Sequence, residues 1–300
     1  MRFALYLGCT VPVRALNYEL AARRTAERLG IEFVDLEGFS CCGYPARSLS
    51  WEAALLMTAN NLALSEEQGI DICTLCSACT STLLEANRQL QENEALRARI
   101  NDQLATTTGR QYKGTVAVRH YTSVLYEEFG PRRLRELVGS AVSSGAAPDI
   151  SSFGFAAHYG CHYVRPPHLH NWREDPENPH TLGELIEATG ARLVPYEDEG
   201  GCCGGGILAI DQDMALSIAR RKLDHVSAAG ADGMVLICPF CDIMYETNQR
   251  SIERRFGVSY QLPVLYYPQL LGFALGFAPA ELGFRLNRVK GKKTKELFKE

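Results

Sequence analysis

Apolar residues fall along this chain in short continuous runs that alternate with longer stretches of helical spacing. Phe3-Ala4-Leu5-Tyr6-Leu7 reads as a buried strand; Leu16, Leu20, Ala21 and Leu29 then share one face of a helix over 15–29 that stops at Gly30. Ile31–Leu36 follows as a strand, Trp51–Gln68 as a helix, and Ile70-Asp71-Ile72 opens a third strand. Thr80–Leu104 reads as one long helix with a polar face, and a strand at Thr115–Arg119 with a helix at Thr122–Leu137 closes the run.

The same order then returns. Phe155–Tyr159 is a strand, Thr181–Thr189 a helix, Ala191–Pro195 a strand, Met214–Ala229 a helix and Met234–Ile237 a strand. Pro263–Tyr267 and a helix through Leu275 complete the second run. Such alternation predicts an α/β fold of two duplicated, Rossmann-like βα domains, each of about 130 residues. The expected boundaries are 1–138 and 153–287, joined by a linker at 139–152 rich in Ser, Ala and Gly and followed by a basic tail at 288–300. One departure is the stretch Arg165–Pro179, with Pro166, Pro167, Pro176 and Pro179. It reads as a surface loop, with a substrate entrance or partner face as the alternative.

Composition narrows the class. The chain has 300 residues, 46% hydrophobic and 22% charged, with a net charge of −4. That balance gives no reason to expect a nucleic-acid partner. The tail Lys290–Lys299 reads as a solvated end, or else as a docking strip for an acidic partner. The apolar run at Met1–Gly8 is too short for a signal peptide. Pro263, Pro268 and Gln269 interrupt Leu262–Ala280, which reads as a strand and a buried helix, not a membrane span.

Cysteine placement changes the picture most. Of 11 cysteines, ten form two matching sets, each C…CCG…CxxC. The first is Cys9, Cys41-Cys42 and Cys76-Ser77-Ala78-Cys79; the second is Cys161, Cys202-Cys203 and Cys238-Pro239-Phe240-Cys241. An odd, clustered count argues against a secreted disulfide scaffold and for a reducing, cytoplasmic setting. Adjacent thiols are poor disulfide partners, because a bridge between them strains the peptide. Five thiols exceed the four that zinc or a cubane cluster needs, so each set suggests a cluster of several irons, with zinc in one or both sets as the alternative. Every set member lies just past a strand's carboxyl end, where open parallel sheets place their ligands. Cys73 has no counterpart in the second set and reads as a small buried residue.

Seven histidines remain to be placed. His158 and His162 flank Cys161 and are suited to bond sulfur or to deliver a proton to a leaving thiolate. His158, in the strand, reads as a packing or sulfur-bonding residue, and His162 as the candidate proton donor. His120, His168, His170, His180 and His225 carry no motif and read as surface or packing residues.

The two cysteine sets, the run His158-Tyr159-Gly160-Cys161-His162, the run Cys202-Cys203-Gly204-Gly205-Gly206 and the ending Leu262-Pro263-Val264…Gln269–Gly276 together resemble the B subunit of heterodisulfide reductase over residues 1–287. The extra Cys73 and the longer interval from Cys161 to Cys202 depart from that pattern. The resemblance implies two noncubane [4Fe–4S] clusters facing each other across a pseudo-twofold interface. Cys9, Cys41, Cys42, Cys76 and Cys79 would hold one, and Cys161, Cys202, Cys203, Cys238 and Cys241 the other. It further implies that a small-thiol disulfide lodges between the clusters and is split, or formed, by one-electron steps. Electrons would come from a ferredoxin-like C subunit fed by a flavin-containing A subunit. A relative working in sulfur-compound oxidation or thiol-dependent fumarate reduction is the neighbouring reading. A zinc or iron–sulfur scaffold without its own substrate is the reading from another class.

Overall fold

The computed structural model describes residues 1–169, 174–291 and 294. His170, part of the proline-rich insert and most of the basic tail lie outside the described residues. The strands β1 (Arg2–Tyr6), β2 (Glu32–Val34), β3 (Ile72–Thr74) and β4 (Val118–His120) form one four-stranded sheet in the order β2-β1-β3-β4. A second sheet repeats that order as β6-β5-β7-β8, from β5 (Gly154–His158), β6 (Arg192–Leu193), β7 (Gly233–Leu236) and β8 (Val264–Tyr266). Every pairing is parallel. The register repeats as well: Ala4 lies opposite Ile72 and Ile72 opposite Val118, as Ala156 lies opposite Met234 and Met234 opposite Val264.

The first half carries helices α1 (Val11–Arg14), α2 (Leu16–Arg28), α3 (Trp51–Gln68), α4 (Ser77–Glu92), α5 (Glu94–Thr107), α6 (Tyr121–Val124) and α7 (Gly130–Ser143). The second carries α8 (Cys161–Val164), α9 (Thr181–Ala188), α10 (Gln212–Ala228), α11 (Pro239–Asp242), α12 (Gln249–Phe256) and α13 (Tyr267–Ala274). The central strands β5 and β7 are buried at every residue, which is why they read as unbroken apolar runs.

Two helices and the linker differ from the sequence reading in ways that bear on the join between the halves. The single helix expected over 80–104 breaks at Asn93, whose extended backbone (φ −121°, ψ 97°) and side chain cap α5 by accepting from the Leu96 N–H. The helix expected over 122–137 is interrupted at Gly130, which takes φ 71° ahead of Pro131. Its second part then runs on to Ser143. The expected linker at 139–152 therefore begins inside a helix, and the irregular connection starts at Ser144.

The halves are joined by exchange. The last helix of each packs on the first long helix of the other: α13 on α2, and α7 on α9. Between the first pair, the Tyr18 and Tyr266 rings stack with centroids 4.1 Å apart, and the Tyr18 hydroxyl donates to the Ile237 carbonyl at 3.2 Å. Just ahead of α7, Tyr126 donates to Glu184 on α9 at 2.8 Å. His120, at the end of β4, also reaches the Ile237 carbonyl, with Nε2 at 3.1 Å.

Because Tyr18 is fully buried at this joint, Tyr18→Ala should lower unfolding free energy by about 3–5 kcal/mol. Tyr18→Phe, which keeps the ring and loses one neutral hydrogen bond, should cost only about 1 kcal/mol. Urea unfolding of the two variants would check this. Equal losses would mean that the stacked ring does not hold the halves together.

Candidate metal centre

Strand ends and helix starts place the thiols. Cys76 and Cys238 directly precede α4 and α11 in extended backbone, and Cys79 and Cys241 sit in the first turns of those elements. Cys9 and Cys161 follow β1 and β5, and the vicinal pairs lie beyond the edge strands β2 and β6. After each vicinal pair the chain turns back under a helix. Gly43 (φ 88°) and Gly204 (φ 80°) make that turn, and a Cβ there would stand 2.6 Å and 2.8 Å from the backbone oxygens of Ala54 and Ala215. The third letter of CCG is thus a steric requirement. It also aims donors at sulfur: the Gly204 N–H bonds Cys202 Sγ and the Gly205 N–H bonds Cys203 Sγ, both at 3.3 Å.

All 11 cysteines are free. The ten of the two sets form one continuous line of thiol contacts. It runs from Cys9 to Cys41, 3.8 Å apart, and on through Cys42 and Cys79 to Cys76. Cys76 meets Cys238 across the boundary between the halves, and the line continues through Cys241, Cys203 and Cys202 to Cys161. Read from the middle outwards, both arms have the same order. Among the described residues no three His, Cys, Asp or Glu side chains converge on the position of a single ion. The thiols are strung along a line.

Contact lowers three of the thiols, Cys42, Cys202 and Cys238, while burial and neighbouring thiols raise Cys41, Cys76, Cys79, Cys161, Cys203 and Cys241. The bond from Cys79, with the Tyr44 N–H, pulls Cys42 down to about 7, whereas burial pushes Cys41 up to about 11. In the second arm, bonds from Cys161 and Cys203 pull Cys202 down, and bonds from Cys241 and Cys76 pull Cys238 down. Thiolates are the metal-binding form, and Cys42, Cys202 and Cys238 are the thiols held closest to it.

The histidines separate by partner. His158 is buried with Nε2 3.2 Å from Cys241 Sγ, and burial, helped by the nearby Lys222 charge, pulls its pKa down to about 3. It is therefore a neutral imidazole beside sulfur. His162 is partly buried; its Nε2 lies 3.2 Å from the Tyr44 hydroxyl, and its ring meets Tyr44 edge-on at 5.1 Å. Among the others, His180 pairs with Glu174 at 3.2 Å and His225 Nδ1 lies 2.9 Å from the Glu197 carbonyl. Cys73 is fully buried in β3, outside the line of thiols.

A cavity of about 150 Å³ opens beside the line. All five thiols of the second set and His162 line it, Tyr44 and Ala78 reach it from the first half, and Phe240 faces Tyr44 with ring centroids 6.4 Å apart. None of the described residues of the 165–179 insert lines this cavity; there, the His168 carbonyl accepts from Arg88 on α4. Sequence reasoning missed Tyr44, Asn61 and Lys222, which lie around the thiols without belonging to the cysteine pattern. The repeat was the available signal, since corresponding positions in the two halves carry different residues.

A family model described as the Cysteine-rich domain matches residues 3–84 and again 155–246. The B subunit of the Ferredoxin:CoB-CoM heterodisulfide reductase of Methanosarcina mazei is 38% identical over 293 residues, covering 96% of this chain and 94% of that protein. A heterodisulfide reductase B-subunit-like protein of Archaeoglobus profundus is 31% identical over 290 residues, 94% of this chain and 93% of its own. The 8-methylmenaquinol:fumarate reductase membrane anchor subunit of Wolinella succinogenes is 30% identical over 292 residues, 97% of this chain and 98% of its own. In the present chain no helix among the described residues is long and apolar enough to cross a membrane. A solved structure, that of a hypothetical protein from Helicobacter pylori, shares the fold with a TM-score of 0.76 at 15% identity. That match covers 97% of this chain but only 52% of the other. With two matched Cysteine-rich domains and relatives similar over nearly its full length, the chain belongs to the family of heterodisulfide reductase B subunits.

Proposed function

We propose that this chain is the catalytic B subunit of a heterodisulfide reductase-like complex, reducing, or in reverse forming, a disulfide of small thiols. The observation that carries this reading is the symmetric line of ten free thiols, five from each repeat, with the second repeat's five bordering a cavity. Cys9, Cys41, Cys42, Cys76 and Cys79 would hold one noncubane [4Fe–4S] cluster, and Cys161, Cys202, Cys203, Cys238 and Cys241 the other, with zinc in one half as the alternative. The donor set fits such groups: vicinal thiols, backbone N–H bonds to sulfur, and Gly8, where a Cβ would stand 2.9 Å from Cys79 Sγ. When bound, the clusters supply the two electrons that an S–S bond takes up as it parts into two thiolates.

The chain's own residues would do the rest. Tyr44 and Phe240 bound the cavity with apolar ring surface that keeps water from the reacting sulfur. His162 would give one proton to a released thiolate, and water the other. Burial lowers the His162 pKa, which makes its protonated form the stronger acid. Electrons would arrive from a ferredoxin-like C subunit, itself served by a flavin-containing A subunit. The setting we infer is the cytoplasm, since 11 free cysteines require a reducing compartment. The Wolinella relative favours a second reading, in which the chain serves fumarate reduction.

Anaerobically purified protein should contain about eight irons and eight acid-labile sulfides per chain, two [4Fe–4S] clusters' worth. About one zinc and four irons would instead leave one redox-active half and reduce the chain to a relay. Cys42→Ala and Cys203→Ala should each lose iron from one half only, and full retention in both would remove the vicinal pairs from the ligand set. His162→Ala should keep its iron yet slow disulfide reduction on the order of a hundredfold; unchanged turnover would end that residue's assigned role.

A further inference from the structure

The repeat allows the surroundings of the two thiol sets to be compared position by position. Tyr6 and His158 each stand three residues before the first cysteine of a set, and Asn61 and Lys222 each stand 19 residues after the second vicinal cysteine. Ser50 and Asp211 cap the helices that carry Asn61 and Lys222, which confirms the alignment.

In the first half this place is neutral. Asn61 Nδ2 donates to the Cys41 carbonyl at 3.1 Å and to the Tyr6 hydroxyl at 3.4 Å, while its Oδ1 accepts from the Ser40 N–H at 2.8 Å. In the second half the same place holds a buried cation. Lys222 is 1% exposed, and its Nζ donates to the Asp198 carbonyl and, at 3.0 Å, to the Glu199 carbonyl. It also lies 5.3 Å from the centroid of the Tyr196 ring.

Lys222 forms no ion pair among the described residues. The Asp198 carboxylate is paired with Arg221 at 3.3 Å, and burial pushes the Glu199 carboxyl up to about 7, leaving it partly neutral. The Lys222 charge acts on the Asp198 carboxylate, then on the Cys241 thiol, Glu199 and the Cys203 thiol, and it also lowers His158. Backbone N–H donors do not account for the difference, since both vicinal pairs receive them: from Gly43 and Tyr44 in the first half, and from Gly204 and Gly205 in the second.

Resting on the two-centre reading above, we propose that Lys222 makes the duplicated centres unequal, so that the one held by the second cysteine set takes up an electron more readily than the one held by the first. A nearby positive charge favours the more negative, reduced state. In each filling step one electron passes from an external one-electron donor to one centre, and no bond forms or breaks. The centre favoured in this way is the one whose five thiols all border the cavity. Lys222 is thus a positioning charge that fixes the order in which the electron pair is assembled.

Potentiometric titration with dithionite, followed by EPR on the full chain, tests this. Wild type should show two one-electron midpoints separated by at least a tenfold difference in reduction equilibrium, about 59 mV. Lys222→Gln should lower the higher midpoint and leave the lower one in place, whereas Lys222→Arg should preserve the gap. Coincident midpoints in wild type, or unmoved midpoints in a fully iron-loaded Lys222→Gln, would overturn the inference. Should the Gln variant fail to assemble, wild type and the Arg variant decide it alone, since loss of the gap in Arg would also overturn it. Iron and sulfide counts on the same wild-type samples separate the two levels of failure: fewer than two centres per chain would overturn the underlying reading, and this inference with it.

Discussion

The meeting of Cys76 and Cys238 is the contact on which the rest of the structure depends. Each thiol lies at the carboxyl end of a central strand, so bringing them together requires two parallel sheets to point those ends at one another. No single sheet supplies the other side of such a site. The exchange of α13 and α7 between halves fixes the approach, and Tyr18 and His120 both reach the Ile237 carbonyl, next to Cys238 itself. The joint between halves and the site's midpoint are therefore one place, and packing that stabilises the first also sets the spacing of the second.

Much of this was legible because the pattern is written twice. The α/β alternation, the position of every cysteine beyond a strand end and the buried character of Cys73 follow from local periodicity and from the repeat. The edge strands are shorter than their apolar runs predict, with three residues in β2 and two in β6. Edge strands are half exposed and pair on one side only, so apolar content there overstates the extent of pairing. The break at Asn93 carried a capping signal, Asn followed by Glu, but the continuous polar face on either side concealed it. Lys222 was illegible for a simpler reason. A lysine in an amphipathic helix ordinarily belongs to the solvated face, and burial of this one depends on carbonyls of a loop more than 20 residues away in sequence.

The cavity shows the same logic of unequal repeats. Tyr44 and Gly205 each follow a CCG, and Ala78 and Phe240 each stand two residues beyond the first cysteine of a CxxC. Bulk sits at the first of these positions in one half and at the second in the other. Tyr44 therefore crosses the boundary to meet His162 and Phe240, and the open volume falls on the side of the second thiol set.

Covalent fusion of the repeats has a consequence for what the site is free to become. In a symmetric pair of separate one-domain chains, a residue placed behind one centre is necessarily placed behind its twin, and both sides of the shared cleft have the same shape. Joining the two copies end to end through the connection after α7 releases that restriction. Asn61 and Lys222, or Tyr44 and Gly205, descend along independent paths while the line of thiols keeps its mirrored order. The fused chain retains the geometry of a dimer but has gained a direction.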